Sequence, residues 1–96
     1  MADDTTVDPV EGQVLDGNAV GGLLATAFGA EMTEVPGECA HCGTVSMVGE
    51  LRAYVRAPGT VLRCPACSGV VLRVVETPNA TLIDVRGAAY LRFERR

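Results

Sequence analysis

Cys39-Ala40-His41-Cys42-Gly43 and Cys64-Pro65-Ala66-Cys67-Ser68-Gly69 are the stretches on which the fold of this chain turns. Two C-x-x-C pairs, with 21 residues between Cys42 and Cys64, can bring four thiolates to one point. Each pair makes a tight knuckle, and a hairpin between them aligns the two. Metal–sulfur bonds of about 2.3 Å then close a tetrahedron that leaves no position for water or substrate. The expected cofactor is therefore one structural Zn2+ held by Cys39, Cys42, Cys64 and Cys67. Gly43 and Gly69 follow the knuckles at positions that favour positive φ or close backbone approach, and Pro65 stiffens the second turn. His41, the single histidine, sits between two better ligands on a turn too tight to bind a third time, and is expected to face solvent and tune the site.

Other uses of paired cysteines fit less well. A rubredoxin-like iron electron carrier also uses two C-x-x-C knuckles, but with a longer interval and an aromatic-rich core, whereas this chain has two Tyr, two Phe and no Trp. A thioredoxin-like dithiol needs one C-x-x-C at a helix start within a βαβ pattern, and here turns join the strands. Disulfides belong to oxidising compartments, yet Met1 to Gln13 has neither the basic nor the apolar region of a secretory signal. A cytoplasmic location with reduced thiols is expected. The longest uncharged stretch, Gly17 to Ala30, falls short of the roughly 20 apolar residues that span a bilayer, so no membrane partner is expected.

Around the knuckles the hydropathy pattern is mostly that of strands. Glu50 to Arg56 alternates, with Leu51, Ala53 and Val55 on one face and Arg52, Tyr54 and Arg56 on the other. Ala57-Pro58-Gly59 turns the chain into Thr60 to Arg63, and Val70 to Glu76 is nearly continuous apolar, as a central strand should be. Thr77-Pro78-Asn79 leads into Thr81 to Arg86, and a last strand, Ala88 to Glu94, is expected to point Ala89, Leu91 and Phe93 inward. These segments predict an antiparallel meander. Upstream, Asp16 can cap a helix to about Phe28, ended by Gly29, with Val20, Leu23, Leu24, Ala27 and Phe28 in one stripe. Gly21 and Gly22 weaken that helix by about 1 kcal/mol each unless close packing on the sheet offsets the loss. Met32 to Val35 reads as a short extended link.

Ninety-six residues leave room for one small domain, and with so few large side chains its core must be thin, which is where a metal staple helps. The expected organisation is a disordered acidic tail over residues 1–14 and a helix plus zinc-ribbon-like domain over residues 15–96, a small α+β fold. Charge is uneven: residues 1–50 hold nine acids and no Arg or Lys, and the remaining residues hold three acids and eight Arg. The overall −4 argues against a general nucleic-acid binder, while the basic C-terminal half allows a local patch.

Leu15-Asp16-Gly17-Asn18-Ala19, Phe28-Gly29-Ala30-Glu31-Met32-Thr33, the two cysteine pairs, Ala57-Pro58-Gly59, Val61-Leu62-Arg63-Cys64-Pro65 and Asp84-Val85-Arg86-Gly87 together resemble a small family of bacterial proteins of unknown function. Its members are single zinc-ribbon-like domains with a leading helix, and the likeness runs from about Leu15 to Leu91. The resemblance implies metal and architecture but no activity.

No catalytic set is visible: no Ser has a matching His and Asp, and Gly17, Gly21 and Gly22 do not form a phosphate loop. The expected role is a non-enzymatic interaction module or accessory subunit with a protein partner. Its candidate face is Arg52, Tyr54 and Arg56, joined by Tyr90 and Arg92 if the two strands align. The alternatives are a nucleic-acid-binding zinc ribbon and the iron carrier.

Overall fold

The computed structural model describes residues 14–56 and 58–95, a small α+β fold of two antiparallel sheets and one α-helix. The strands are β1 (Val14–Asp16), β2 (Pro36–Cys39), β3 (Val45–Met47), β4 (Arg52–Arg56), β5 (Gly59–Arg63), β6 (Val70–Glu76), β7 (Thr81–Asp84) and β8 (Ala88–Leu91). Helix α1 spans Gly21–Phe28. The larger sheet runs in the order β1-β4-β5-β6-β7, so the expected meander forms its last four strands. The smaller sheet is β3-β2-β8.

Asp16 does cap, but what it caps is a 3-10 turn, Gly17–Val20, through a 2.9 Å hydrogen bond from the Asn18 amide. The α-helix proper starts only at Gly21, the first residue of the glycine pair, so Gly21 opens the helix and does not interrupt it. A Cβ on Gly22 would meet open space, which removes close packing as its explanation. At the other end Gly29 takes φ +74° and returns its amide to the Ala25 carbonyl at 2.8 Å, a left-handed cap that stops the helix as expected. Leu24 is fully buried, whereas Leu23, Ala27 and Phe28 pack at the margin of the core and stay partly exposed.

The core is aliphatic. Leu24, Met32, Leu62 and Leu72 are wholly enclosed with Val48, Ala53 and Val74, and Cys39 and Cys64 complete it at the cysteine end. The apolar run of β6 has a specific cause: the register with β5 shifts between Leu62 and Arg63, leaving Val71 as an extra residue. This bulge lets the adjacent Val71 and Leu72 both face the interior.

Four expectations need correction. Met32–Val35 is a turn closed by the Val35 amide on the Met32 carbonyl at 3.1 Å, not an extended link. Residues 48–50 form a second 3-10 turn, so β4 starts at Arg52 and not at Glu50. The seventh strand stops at Asp84, because the Asp84 carboxylate caps the following turn through the Arg86 amide at 3.0 Å. The last strand leaves the meander and pairs with β2, with a register shift between Glu38 and Cys39 that breaks its alternation. Leu91 is half-buried, but Ala89 and Phe93 are exposed, and the strand ends before Arg92. The acidic tail expected over residues 1–14 lies outside the described residues except for Val14, which pairs with Tyr54 in β1. Among the described residues no helix is long and apolar enough to cross a membrane.

Candidate metal centre

Each cysteine pair sits on a turn that leaves a strand: Cys39 ends β2, and Cys64 follows β5. The two turns are built alike. His41 and Ala66, each two residues after the first cysteine, aim their amides at its sulfur, both at 3.4 Å. Gly43 and Ser68, each four residues after it, donate to its carbonyl at 2.9 and 2.8 Å. The first cysteine's own amide reaches the carbonyl five residues on, Cys39 to Thr44 and Cys64 to Gly69, both at 2.9 Å. The shared geometry demands positive φ at the fourth position, and Gly43 adopts +81° while Ser68 adopts +67°. Of the two roles expected for the glycines after the knuckles, positive φ or close approach, Gly43 takes the first, while in the second turn positive φ falls on Ser68, one residue before Gly69.

These two turns face each other. All four sulfurs lie within 4.8 Å of one another, with Cys39 and Cys67 at 3.7 Å and Cys42 and Cys64 at 3.8 Å. Bonds of about 2.3 Å to one tetrahedral centre put sulfurs about 3.8 Å apart, so this spacing suits a single ion. Both close pairs join one knuckle to the other, and neither is a disulfide. Cys39 and Cys64 are buried, and Cys42 and Cys67 form the exposed rim.

Electrostatics favour a cation at the centre. The Cys42 thiol is lowered to about 6, first by the Thr44 hydroxyl 3.2 Å away and then by the Thr44 amide. At Cys67 the Gly69 amide, 3.3 Å from the sulfur, favours the thiolate, but desolvation and the three neighbouring sulfurs outweigh it and push the group up to about 11. A cluster in which one thiol ionises early resists losing its last protons until a cation compensates. The amides aimed at sulfur supply the matching neutral donors.

His41 is exposed, as expected, but it is not loose. Its Nε2 lies 3.0 Å from the Val70 carbonyl on the far knuckle's strand. Its ring occupies the space where a Gly69 side chain would stand: a Cβ there would come within 2.5 Å of the imidazole. Gly69 is thus a close-approach glycine. The Ala40 amide also reaches the Gly87 carbonyl at 2.8 Å, tying the first knuckle to the segment before β8.

Of the candidate partner face, Arg52, Tyr54 and Arg56 alternate on the outer side of β4 in the five-stranded sheet. Tyr90 lies on β8 and Arg92 just after it, in the three-stranded sheet, so the two strands do not align into one platform. The sequence reading missed Arg63, which stands opposite Arg52 on the same face with its guanidinium carbon 5.6 Å from the Tyr54 ring centre. Strand alternation on β5 was the signal that could have found it.

A family model described as "Family of unknown function (DUF6510)" matches residues 9–96. Neither the curated proteins nor the solved structures contain a match to the chain.

Proposed function

We propose that this chain, which belongs to the family of unknown function DUF6510, is a zinc-stapled, non-enzymatic interaction module or accessory subunit of the cytoplasm. The observation that carries the reading is the spacing of the four sulfurs, 3.7 and 3.8 Å across the two facing pairs, with backbone amides directed at them. Four protein ligands fill a tetrahedral site, which suits a structural ion and leaves no open position for catalysis. Zinc is favoured over iron because a closed tetrathiolate inside a thin aliphatic core needs folding energy more than redox chemistry. Free, clustered cysteines suit a reducing compartment. The partner surface is the outer face of the five-stranded sheet around Arg52, Tyr54 and Arg56.

Metal analysis tests the reading. Protein purified without added metal should be colourless and carry about one zinc per chain, as a closed tetrathiolate requires. Exhaustive chelation, or Cys39→Ser or Cys64→Ser, should unfold the domain. A red protein with iron as its main metal, or full folding after chelation, overturns it.

A further inference from the structure

On the outer face of the five-stranded sheet, strand register sets Arg52 directly opposite Arg63 and Tyr54 opposite Val61, with Arg73 beside Val61 on the next strand. Like charges directly opposite on one sheet face repel, so this arrangement calls for an anion between them. The sheet does not supply one. Asp84 is shared between Arg73 at 3.2 Å and Arg86 at 2.7 Å, and among the described residues no carboxylate pairs with Arg52 or Arg63. Arg63 instead donates to the Ser68 carbonyl at 2.8 Å and rests over Tyr54, partners that fix the guanidinium without neutralising it. Beside it opens a groove of about 530 Å³ whose floor includes Gly59 and Val61.

From this fixed, unneutralised charge and the apolar floor beside it, we propose that the groove binds an acidic segment of a partner protein, with one carboxylate at Arg63 in the groove, a second at Arg52, which register sets opposite Arg63 outside the groove lining, and an apolar side chain over Val61. The inference rests on the reading of this face as the partner surface and adds the chemistry of what it takes. A protein segment fits better than a nucleic acid for a local reason. The Tyr54 ring that would stack a base is already covered by Arg63.

The test uses the full, metal-loaded chain and a dye-labelled hexapeptide of four Glu and two Phe, followed by fluorescence anisotropy at low and high salt. The expected result is binding that weakens with salt, is absent for the Gln analogue of the peptide, and falls about tenfold in the Arg52→Ser, Arg63→Ser double variant. The unfolding midpoint should show the variant to be folded. Three results overturn the proposal: no salt-sensitive binding, tighter binding of an oligothymidine than of the peptide, or peptide binding only after Asp3, Asp4, Asp8 and Glu11 are neutralised. The last would make the chain's own acids the ligand of this face. None of these results touches the zinc content or the metal-dependent folding, so failure here is separable from failure of the zinc-stapled module.

Discussion

His41 and Gly69 belong to opposite knuckles, and the absence of a side chain on one is the seat of the other's ring. With its Nε2 on the Val70 carbonyl, the imidazole forms a clasp across the four-cysteine cluster from outside it. His41→Ala should lower stability by about 0.5–1.5 kcal/mol, the ordinary worth of one hydrogen bond, and leave metal content unchanged. Gly69→Ala should cost more, because it ejects the ring and adds nothing. Unfolding midpoints of the metal-loaded proteins, with metal content measured alongside, check both; loss of the ion in His41→Ala would contradict a non-ligating role.

Gly43 and Ser68 hold the same place in the two turns with the same left-handed backbone. That conformation costs a residue with a side chain about 1–2 kcal/mol. Ser68→Gly should accordingly stabilise by up to about 1 kcal/mol, part of the gain being lost to the freer unfolded chain. Gly43→Ala should destabilise by about 1–2 kcal/mol. Chemical denaturation of the two variants should move in opposite directions.

Leu24 and Phe28 share a helix stripe but differ in burial, the leucine being wholly enclosed and the phenylalanine partly exposed. Leu24→Ala should cost about 2–5 kcal/mol, the range for a buried leucine. Phe28→Ala should fall below the roughly 3–5 kcal/mol of a fully buried phenylalanine. The ranking of the two midpoints decides whether α1 seats on the sheet as described.

Asp84 is held well below the usual carboxylate range, first by the Arg86 side chain, then by the Arg86 amide and the more distant Arg73. A carboxyl whose folded value is depressed adds stability that is present above its unfolded value of about 3.9 and is lost as pH falls below it. Asp84→Asn should therefore lower the unfolding midpoint at neutral pH, and the difference from the parent chain should shrink on acidification below about pH 4. Guanidinium titrations at several pH values provide the check. A gap that widens toward acid would reverse the sign of the argument.

The parts of this fold that could be read from residues are those written locally. Cysteine spacing gives the knuckles, the Asp16 cap and Gly29 bracket the helical segment, and alternation in Arg52–Arg56 gives a half-buried strand. The smaller sheet was hidden because its strands carry weak signals. Pro36-Gly37-Glu38-Cys39 holds two residues that disfavour strands, and Val45-Ser46-Met47 is too short to show a period. The bulge opposite Glu38 and Cys39 inverted the assignment of Ala89, since one added residue flips every later side chain to the other face. Arg63 escaped notice because its importance depends on a register partner, Arg52, that only pairing reveals.

The pairing of β8 with β2 has a consequence for how the chain reaches its native state. Gly37 meets Leu91 roughly fifty residues later, the kind of distant contact that slows folding. The four thiols, by contrast, are closer in sequence: Cys39 and Cys67 are 28 residues apart, so joining them closes a shorter loop than joining Gly37 to Leu91. Capture of the ion can therefore precede the closing strand and shorten the loop that β8 must span, because Cys39 at the end of β2 is then already fastened to Cys67. On the zinc-stapled reading proposed above, the ion would act first as a folding nucleus and only afterwards as a fixture of the finished domain. Cells short of metal should accumulate newly made chains whose last strand stays open to proteases.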